Sequence, residues 1–295
     1  MSAEWHLLPS PIVLQVSGKD ARRYLNNRLS NDLRSLQPGE SIRAAALSAQ
    51  GRVEGLFTIW AQPNDLFFLV CDGGDRNAVR TALARFIVAD RVTVDDISDR
   101  ACVLHVVQDL DSIRPTIEAL SPERLLSAPA SRLSDAGTDC VVVGVARADV
   151  ERQLGAGMST ESYARERVRY GTPTFPEEIN GDSILTEAGL YDAVSFSKGC
   201  YVGQEVIERS DAIGKLPRTL ERIKLEGTAS VEAGAPLTLA AGETIGKVVT
   251  AVSDTASKCT FLFALLRSGK YGNGDSVLCD GRRGEILPRS TIRTR

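Results

Sequence analysis

From about Leu216 the chain breaks into short strand-like runs: Leu220 to Leu225, Leu237 to Ala240, Glu243 to Val252, Cys259 to Leu266 and Ser276 to Cys279. Glycine-rich or polar turns part them, and no long helical period intervenes. A small antiparallel barrel is the expected arrangement. The linker before it is Asp211 to Arg218. Upstream the texture is mixed. Ile12 to Val16 alternates as a strand, and Asp20 to Leu29 reads as a helix with Asp20 at its N-cap. Val53 to Trp60 and Leu66 to Cys71 read as an antiparallel pair turned by Pro63-Asn64-Asp65, and Asp75 to Phe86 carries a helical apolar period. Ala101 to Val107, a helix near Ser112 to Leu120, Cys140 to Val145 and a helix Asp149 to Leu154 form a comparable second unit, with Ser121 to Asp139 read as mostly loop. The fold class is therefore α+β, with approximate, interleaved subdomains over 1–95 and 96–215 and a barrel over 216–295.

The stretch Lys198-Gly199-Cys200-Tyr201-Val202-Gly203-Gln204-Glu205 carries the most chemistry, packing a thiol, an ammonium, a phenol, an amide and a carboxylate around two glycines. The glycines permit positive φ or close approach to a ligand. Val202 to Arg209 reads as helix, with Glu205 and Arg209 spaced as an i,i+4 pair. Cys200 is thus expected near a helix N-terminus beside Lys198, where thiols ionise and react more readily. The alternative is a buried cysteine in a glycine-rich turn.

The remaining residues narrow the chemistry. The six cysteines, at positions 71, 102, 140, 200, 259 and 279, form no C-x-x-C pair, so local metal-ligand spacing is missing. Four of them lie in or beside strand-like runs, whereas Cys200 has polar neighbours. The two histidines, His6 and His105, give little basis for a Ser-His-Asp or histidine-built zinc site, and His105 sits within an apolar run. At 295 residues, 43% hydrophobic and 25% charged, the chain can bury sizeable cores. A net charge of −3 argues against nucleic acid as the main partner. No apolar run approaches the roughly 18 residues that cross a bilayer, and Met1 to Pro11 lacks the pattern of a secretion signal. The expectation is a cytoplasmic protein with no membrane partner.

K-G-C-Y-x-G-Q-E resembles the signature of the YgfZ group of folate-binding proteins, relatives of the glycine cleavage T-protein. Val194-Ser195-Phe196 before it and Arg209 and Gly214 after it extend the match. Two segments upstream resemble the wider superfamily: Ala164 to Pro173, and Leu185-Thr186-Glu187-Ala188-Gly189-Leu190. Tyr24 to Asp32 with Gly51-Arg52 is a weaker third. The resemblance implies a T-protein-like fold, with two ferredoxin-like units before the barrel. It also implies a cleft for tetrahydrofolate or another reduced folate.

A pterin edge, an aromatic linker and a glutamate tail need carboxylates or amides, apolar walls and cations. Within the matched segments, Glu187, Gln204 and Glu205 are expected at the pterin edge, Tyr170 and Tyr201 against the rings, and Arg52, Arg165 or Arg169 on the tail. Cys200 and Lys198 are the expected reactive pair. One departure bears on mechanism: where T-proteins carry an aspartate pair after a glycine, this chain has Glu54-Gly55. A second is that Val168-Arg169-Tyr170-Gly171 lacks the superfamily's pterin-contacting glutamate.

The implied function is a factor that uses tetrahydrofolate to assist iron-sulfur cluster synthesis or repair in client enzymes, with an indirect effect on tRNA modification. One alternative is a folate-dependent aminomethyl or methyl transferase. Another is a tRNA-binding module making weak contact through Arg209, Lys215, Arg218 and Arg222 with the tail residues Arg289, Arg293 and Arg295.

Overall fold

The computed structural model describes residues 4–121, 123–213 and 216–288. In chain order the first half comprises β1 (Glu4–Leu7), β2 (Ile12–Ser17), α1 (Ala21–Arg28), β3 (Ser41–Leu47), β4 (Val53–Gln62), β5 (Leu66–Cys71), α2 (Arg76–Ala84) and β6 (Thr93–Asp96). Then come β7 (Ala101–Gln108), α3 (Leu110–Ala119), β8 (Arg124–Pro129), β9 (Thr138–Val143), α4 (Arg147–Leu154), α5 (Thr160–Tyr170) and α6 (Gln204–Ile213). Strands β10 (Arg218–Glu226), β11 (Pro236–Leu239), β12 (Thr244–Asp254), β13 (Cys259–Arg267), β14 (Ser276–Cys279) and β15 (Arg282–Ile286) close the chain's fold.

The strands form two open sheets, ordered β3-β4-β5-β2-β6 and β1-β7-β9-β8, and a closed barrel ordered β10-β13-β12-β11-β14-β15. Strand β5 shows why the open sheets stack. It is apolar on both faces: Phe67, Leu69 and Cys71 enter the main core, while Phe68 and Val70 join Trp60, Val103, Leu126 and Val141 between the sheets. A strand buried on both sides loses the polar alternation of a half-exposed one.

Several elements depart from the sequence reading. Ser121 to Asp139 contains β8, which pairs along β9 from Arg124 opposite Val143 to Pro129 opposite Thr138. The N-terminal β1 joins the second sheet, with Trp5 opposite Val106 and His6 opposite His105. Strands β3, β6 and β15 were also unforeseen. The helix expected from Asp20 exists, but the Asp20 carboxylate accepts the Arg91 N–H at 2.9 Å and leaves α1 without a side-chain cap. Asp75 does cap α2, accepting the Ala78 N–H at 2.7 Å.

The barrel is joined to the α/β core at the end of α5. Gly171, at φ 101°, ends that helix in the left-handed region. Arg222 of β10 donates to the freed carbonyls of Arg169 at 2.5 Å and Tyr170 at 2.6 Å, and to Pro288 at 3.1 Å. Burial lowers the Arg222 pKa, Tyr170 opposing, so its charge is held by those carbonyl dipoles. Replacing Arg222 with Ala should lower stability by about 1–2 kcal/mol, since three part-exposed carbonyls lose a charged donor. Urea unfolding would measure it; an unchanged midpoint would mean that apolar contacts alone hold the seam.

Candidate functional site

The loop before α6 is tied to the turn after α1. Lys198 is buried, and its ammonium donates to the carbonyls of Leu29 at 2.7 Å, Asn31 at 2.7 Å and Asn26. These carbonyls lie at or beyond the C-terminal end of α1, where helix acceptors lack intrahelical partners and a cation is favoured. Ser30 and Asn31 complete the attachment. Ser30 Oγ donates to Ala193 O at 2.5 Å, and Asn31 Nδ2 donates to the carbonyls of Arg43 and Asp192, each at 2.8 Å.

Cys200 projects from this pinned loop as an exposed thiol, while the other five cysteines are buried. Burial pushes Cys71 and Cys140 up to about 12 and Cys102 to about 11, which makes them unreactive. A Cβ placed on Gly199 would meet nothing within 4 Å, so the surroundings of the thiol are open. Tyr201 turns inward. Its ring lies 5.1 Å from Lys198 Nζ, and burial drives its hydroxyl up to about 12 without a hydrogen-bond partner.

Two expectations about this loop are corrected. Helix α6 starts at Gln204, because Gly203 takes φ 83° and packs against the β3–β4 turn. A Cβ at Gly203 would lie 2.6 Å from Ser48 O, so only glycine fits. Cys200 therefore precedes the first turn of the helix. The Lys198 ammonium, with three protons and three carbonyl acceptors, is a structural tie whose donors are all spent on the end of α1.

A central cleft of about 250 Å³ is bounded by β3, β4, the end of β5, the β8–β9 loop and the segment after α5. Phe57 and Phe175 supply aromatic wall, with Ile42, Leu56 and Pro173 beside them. Its charged lining comprises Arg43 paired with Asp192 at 2.8 Å, and Arg132 held between two carboxylates. Arg132 Nη1 and Nη2 each reach Asp72 at 2.8 Å, and its Nε reaches both Asp139 oxygens at 2.9 and 2.8 Å. Asp139 in turn meets His105 Nδ1 at 2.9 Å. Burial opposes charge on Asp139, but Arg132 and His105 outweigh it and hold its carboxyl below the usual range. Among the described residues no group of three or more His, Cys, Asp or Glu is placed to hold a metal.

Comparison with known proteins places this geometry. No family model matches the chain. It is 28% identical over 261 residues to the mitochondrial iron-sulfur cluster assembly factor IBA57 of Mus musculus, covering 80% of this chain and 71% of that one. It is 23% identical over 250 residues to the tRNA-modifying protein YgfZ of Escherichia coli, covering 77% and 74% respectively. It also matches a chloroplastic protein of Arabidopsis thaliana at 22% identity, spanning only 58% of that longer chain. The glycine cleavage system aminomethyltransferase T from Bartonella henselae superposes with a TM-score of 0.84 over 99% of this chain and 86% of that one, at 17% identity. The chain has the fold of the T-protein and is similar in sequence to YgfZ-type proteins.

Within this T-protein-like fold the residues expected at one folate site occupy three places. Lys198, Cys200, Tyr201, Gln204 and Glu205 share the anchored loop and the start of α6. Gln204 bridges Tyr201 N–H at 3.3 Å and Glu208 at 2.5 Å, and Glu205 is exposed. Arg165 and Arg169 lie on α5, each against Glu166, and Tyr170 donates to Asp135 at 2.7 Å. Arg52 and Glu187 line a different cleft, of about 570 Å³, between core and barrel. There Arg218 Nε reaches both Glu187 oxygens at 3.1 Å, and Arg52 and Arg218 donate to Asp182 O at 2.6 and 2.8 Å. Glu187 and Arg52 are thus engaged outside the central cleft.

Sequence reasoning missed Asp72, Arg132, Arg43, Phe57 and Phe175. Asp72-Gly73-Gly74 is a turn signal directly after a strand, whereas Arg132 lay in a stretch read only as loop. The basic face considered for tRNA falls largely outside the described residues. Arg218 and Arg222 are committed to Glu187 and to backbone carbonyls, while Gly214, Lys215, Arg289, Arg293 and Arg295 lie outside the described residues.

At the Glu54-Gly55 departure the backbone is crowded. A Cβ on Gly55 would lie 2.8 Å from the tip of the Phe57 ring, so a side chain there requires that ring to shift. Glu54 faces elsewhere, held by Arg28 at 3.0 Å and by Arg85.

Lys198 gives a testable pH dependence. Burial, with Arg34 adding and Asp32 opposing, lowers it from 10.5 to about 8. Between those values the unfolded chain holds the proton that the folded chain has released, so this residue's contribution to stability rises with pH across the window. The stability of the native chain minus that of Lys198→Met should climb between pH 8 and 10.5, by at most about 1.4 kcal/mol per pH unit. Urea unfolding at pH 7.5 and about 9.5 tests this; a difference that falls with pH would contradict it.

Proposed function

We propose that the chain is a cytoplasmic tetrahydrofolate-binding factor that assists iron-sulfur cluster synthesis or repair in client enzymes, and through such clients influences tRNA modification. The observation carrying this reading is the fixed relation between the exposed Cys200 loop and the aromatic-walled cleft, because Asn31 bonds the carbonyls of Arg43 and Asp192 at the cleft while its own carbonyl accepts from Lys198. The lining suits a flat heterocycle. Phe175 offers a ring surface, backed by the buried Phe57, and carboxylates and a guanidinium offer polar contacts. A volume of about 250 Å³ lies just below the usual range for small-molecule sites, roughly 300–1,000 Å³. It fits a pterin with part of its aryl linker, leaving a glutamate tail toward solvent. Arg169 and Arg165 on exposed parts of α5 are the candidate tail cations, and Tyr170 is a candidate ring contact.

When bound, tetrahydrofolate supplies a carrier of one-carbon units and an oxidisable ring. The chain's own residues bind and orient it and present the thiol. Lys198 and Asn31 fix the loop, and Cys200 is free to meet a client enzyme or a transient iron species as substrate. Glu54-Gly55 in place of the aspartate pair disfavours aminomethyl transfer, since the one acid there, Glu54, is held by Arg28 and Arg85. Release of ammonia and methylenetetrahydrofolate from an aminomethylated carrier protein would favour the transferase reading instead.

Tetrahydrofolate at 100 times its dissociation constant should stabilise the chain by about 2.7 kcal/mol, visible as a raised thermal midpoint. Cys200→Ser should bind with unchanged affinity yet fail to complement a strain whose iron-sulfur enzymes need this factor. Absence of any midpoint shift at saturating ligand would refute the folate assignment. Full complementation by Cys200→Ser would refute the role of the thiol.

A further inference from the structure

We propose that Asp72 is the specificity-determining residue of the central cleft, pairing with the side-by-side N–H donors of a 2-amino-4-oxopyrimidine edge and so fixing a head-in, tail-out ligand orientation. This rests on the folate reading of the same cleft and names the residue that decides which part of the ligand enters.

Asp72 directly follows β5, and its backbone is fixed by the glycines after it. Gly74 has φ 111°, and a Cβ there would lie 2.9 Å from Phe175 Cε1, so the turn is packed closely against the aromatic wall. Arg132 then fixes the carboxylate itself through two parallel bonds of 2.8 Å, one to each oxygen. Behind Arg132 stand Asp139, bonded through Nε, and His105, bonded to Asp139. Arg132 and Asp139 are almost wholly buried, whereas the Asp72 side chain keeps 23% of its surface open. The relay thus ends at one carboxylate facing the cleft.

Its chemistry selects the ligand. Each carboxylate oxygen accepts more than one hydrogen bond, and Arg132 occupies one site on each. Two adjacent acceptors with fixed spacing match two adjacent N–H donors. Charge points the same way: one guanidinium between two carboxylates leaves a net charge of −1, and a second ion pair lining the cleft, Arg43 with Asp192, is neutral overall. An anionic tail is repelled from the inner end and a neutral donor edge is drawn to it.

The test is calorimetric titration with 5-formyltetrahydrofolate, a stable reduced folate, and with its analogue lacking the 2-amino group. The native chain should bind the parent compound at least roughly 10-fold more tightly than the analogue, as expected for loss of a hydrogen bond to a charged group. Asp72→Asn, which replaces an acceptor by an amide and leaves Arg132 undercompensated, should weaken parent binding by roughly 10- to 100-fold and erase the preference. Should that variant fail to fold, the native chain's discrimination between the two ligands decides the matter alone. Equal native affinity for both ligands, or native-like parent affinity in folded Asp72→Asn, overturns the Asp72 assignment and leaves folate binding standing. No native binding of either compound overturns both.

Discussion

Burying the Lys198 ammonium removes a charge from water, and it is sustained because the carbonyls of Asn26, Leu29 and Asn31 converge on it where α1 ends. The same interaction fixes the loop two residues before Cys200, so the position of the thiol depends on a helix terminus far away in sequence. Without that tie, Ser30, Asn31 and the Arg43–Asp192 pair would still link the segment before the loop to the first sheet. Tyr201 uses the arrangement in turn, its ring packing beside the buried cation while its neighbour Cys200 stays outside. A charged group treated on sequence grounds as a chemical activator is thereby a builder of the site.

The central cleft follows the same physical rule. Arg132 lies in a water-poor region only because Asp72 and Asp139 meet three of its nitrogens, and a buried cation without such partners would be prohibitively costly. Aromatic side chains set the shape around it. Gly55 and Phe57 act as a pair, since the ring occupies the volume a side chain at 55 would need. The T-protein scaffold is retained, while the strand that could present an acid to that cleft presents a hydrophobic wall.

Elements with strong local signals were legible in the sequence. The N-cap at Asp75, the apolar period of α2 and the closely spaced strands of the barrel all declare themselves within a few residues. Elements specified by distant partners did not. β1 is only four residues long and makes sense beside β7, about a hundred positions on; β8 has Ser, Ala and Pro in its second half, and β3 has a run of three alanines, so both are strands mainly because β9 and β4 pair with them. The site shows the same division. The glycine-bracketed thiol motif stands out locally, but Lys198 meets acceptors 167 to 172 positions away, and Arg132 meets Asp72 60 positions away. Glu187 and Arg52 were picked from segments that resemble folate-site segments, yet a local segment does not say which of two clefts a side chain enters; Arg218 of the barrel draws Glu187 to the seam.

The central claim is that ligand and thiol loop are parts of one site around the cleft of β3, β4 and the β8–β9 loop. Hydrogen–deuterium exchange with and without tetrahydrofolate tests it most directly. The account predicts slower exchange in Ser41–Leu47, in the β8–β9 loop around Arg132 and in the segment around Phe175, with smaller protection reaching the Lys198 loop through Asn31. Protection confined to the core–barrel cleft around Arg52, Asp182 and Lys247, with none at Arg132 or Phe175, would contradict it.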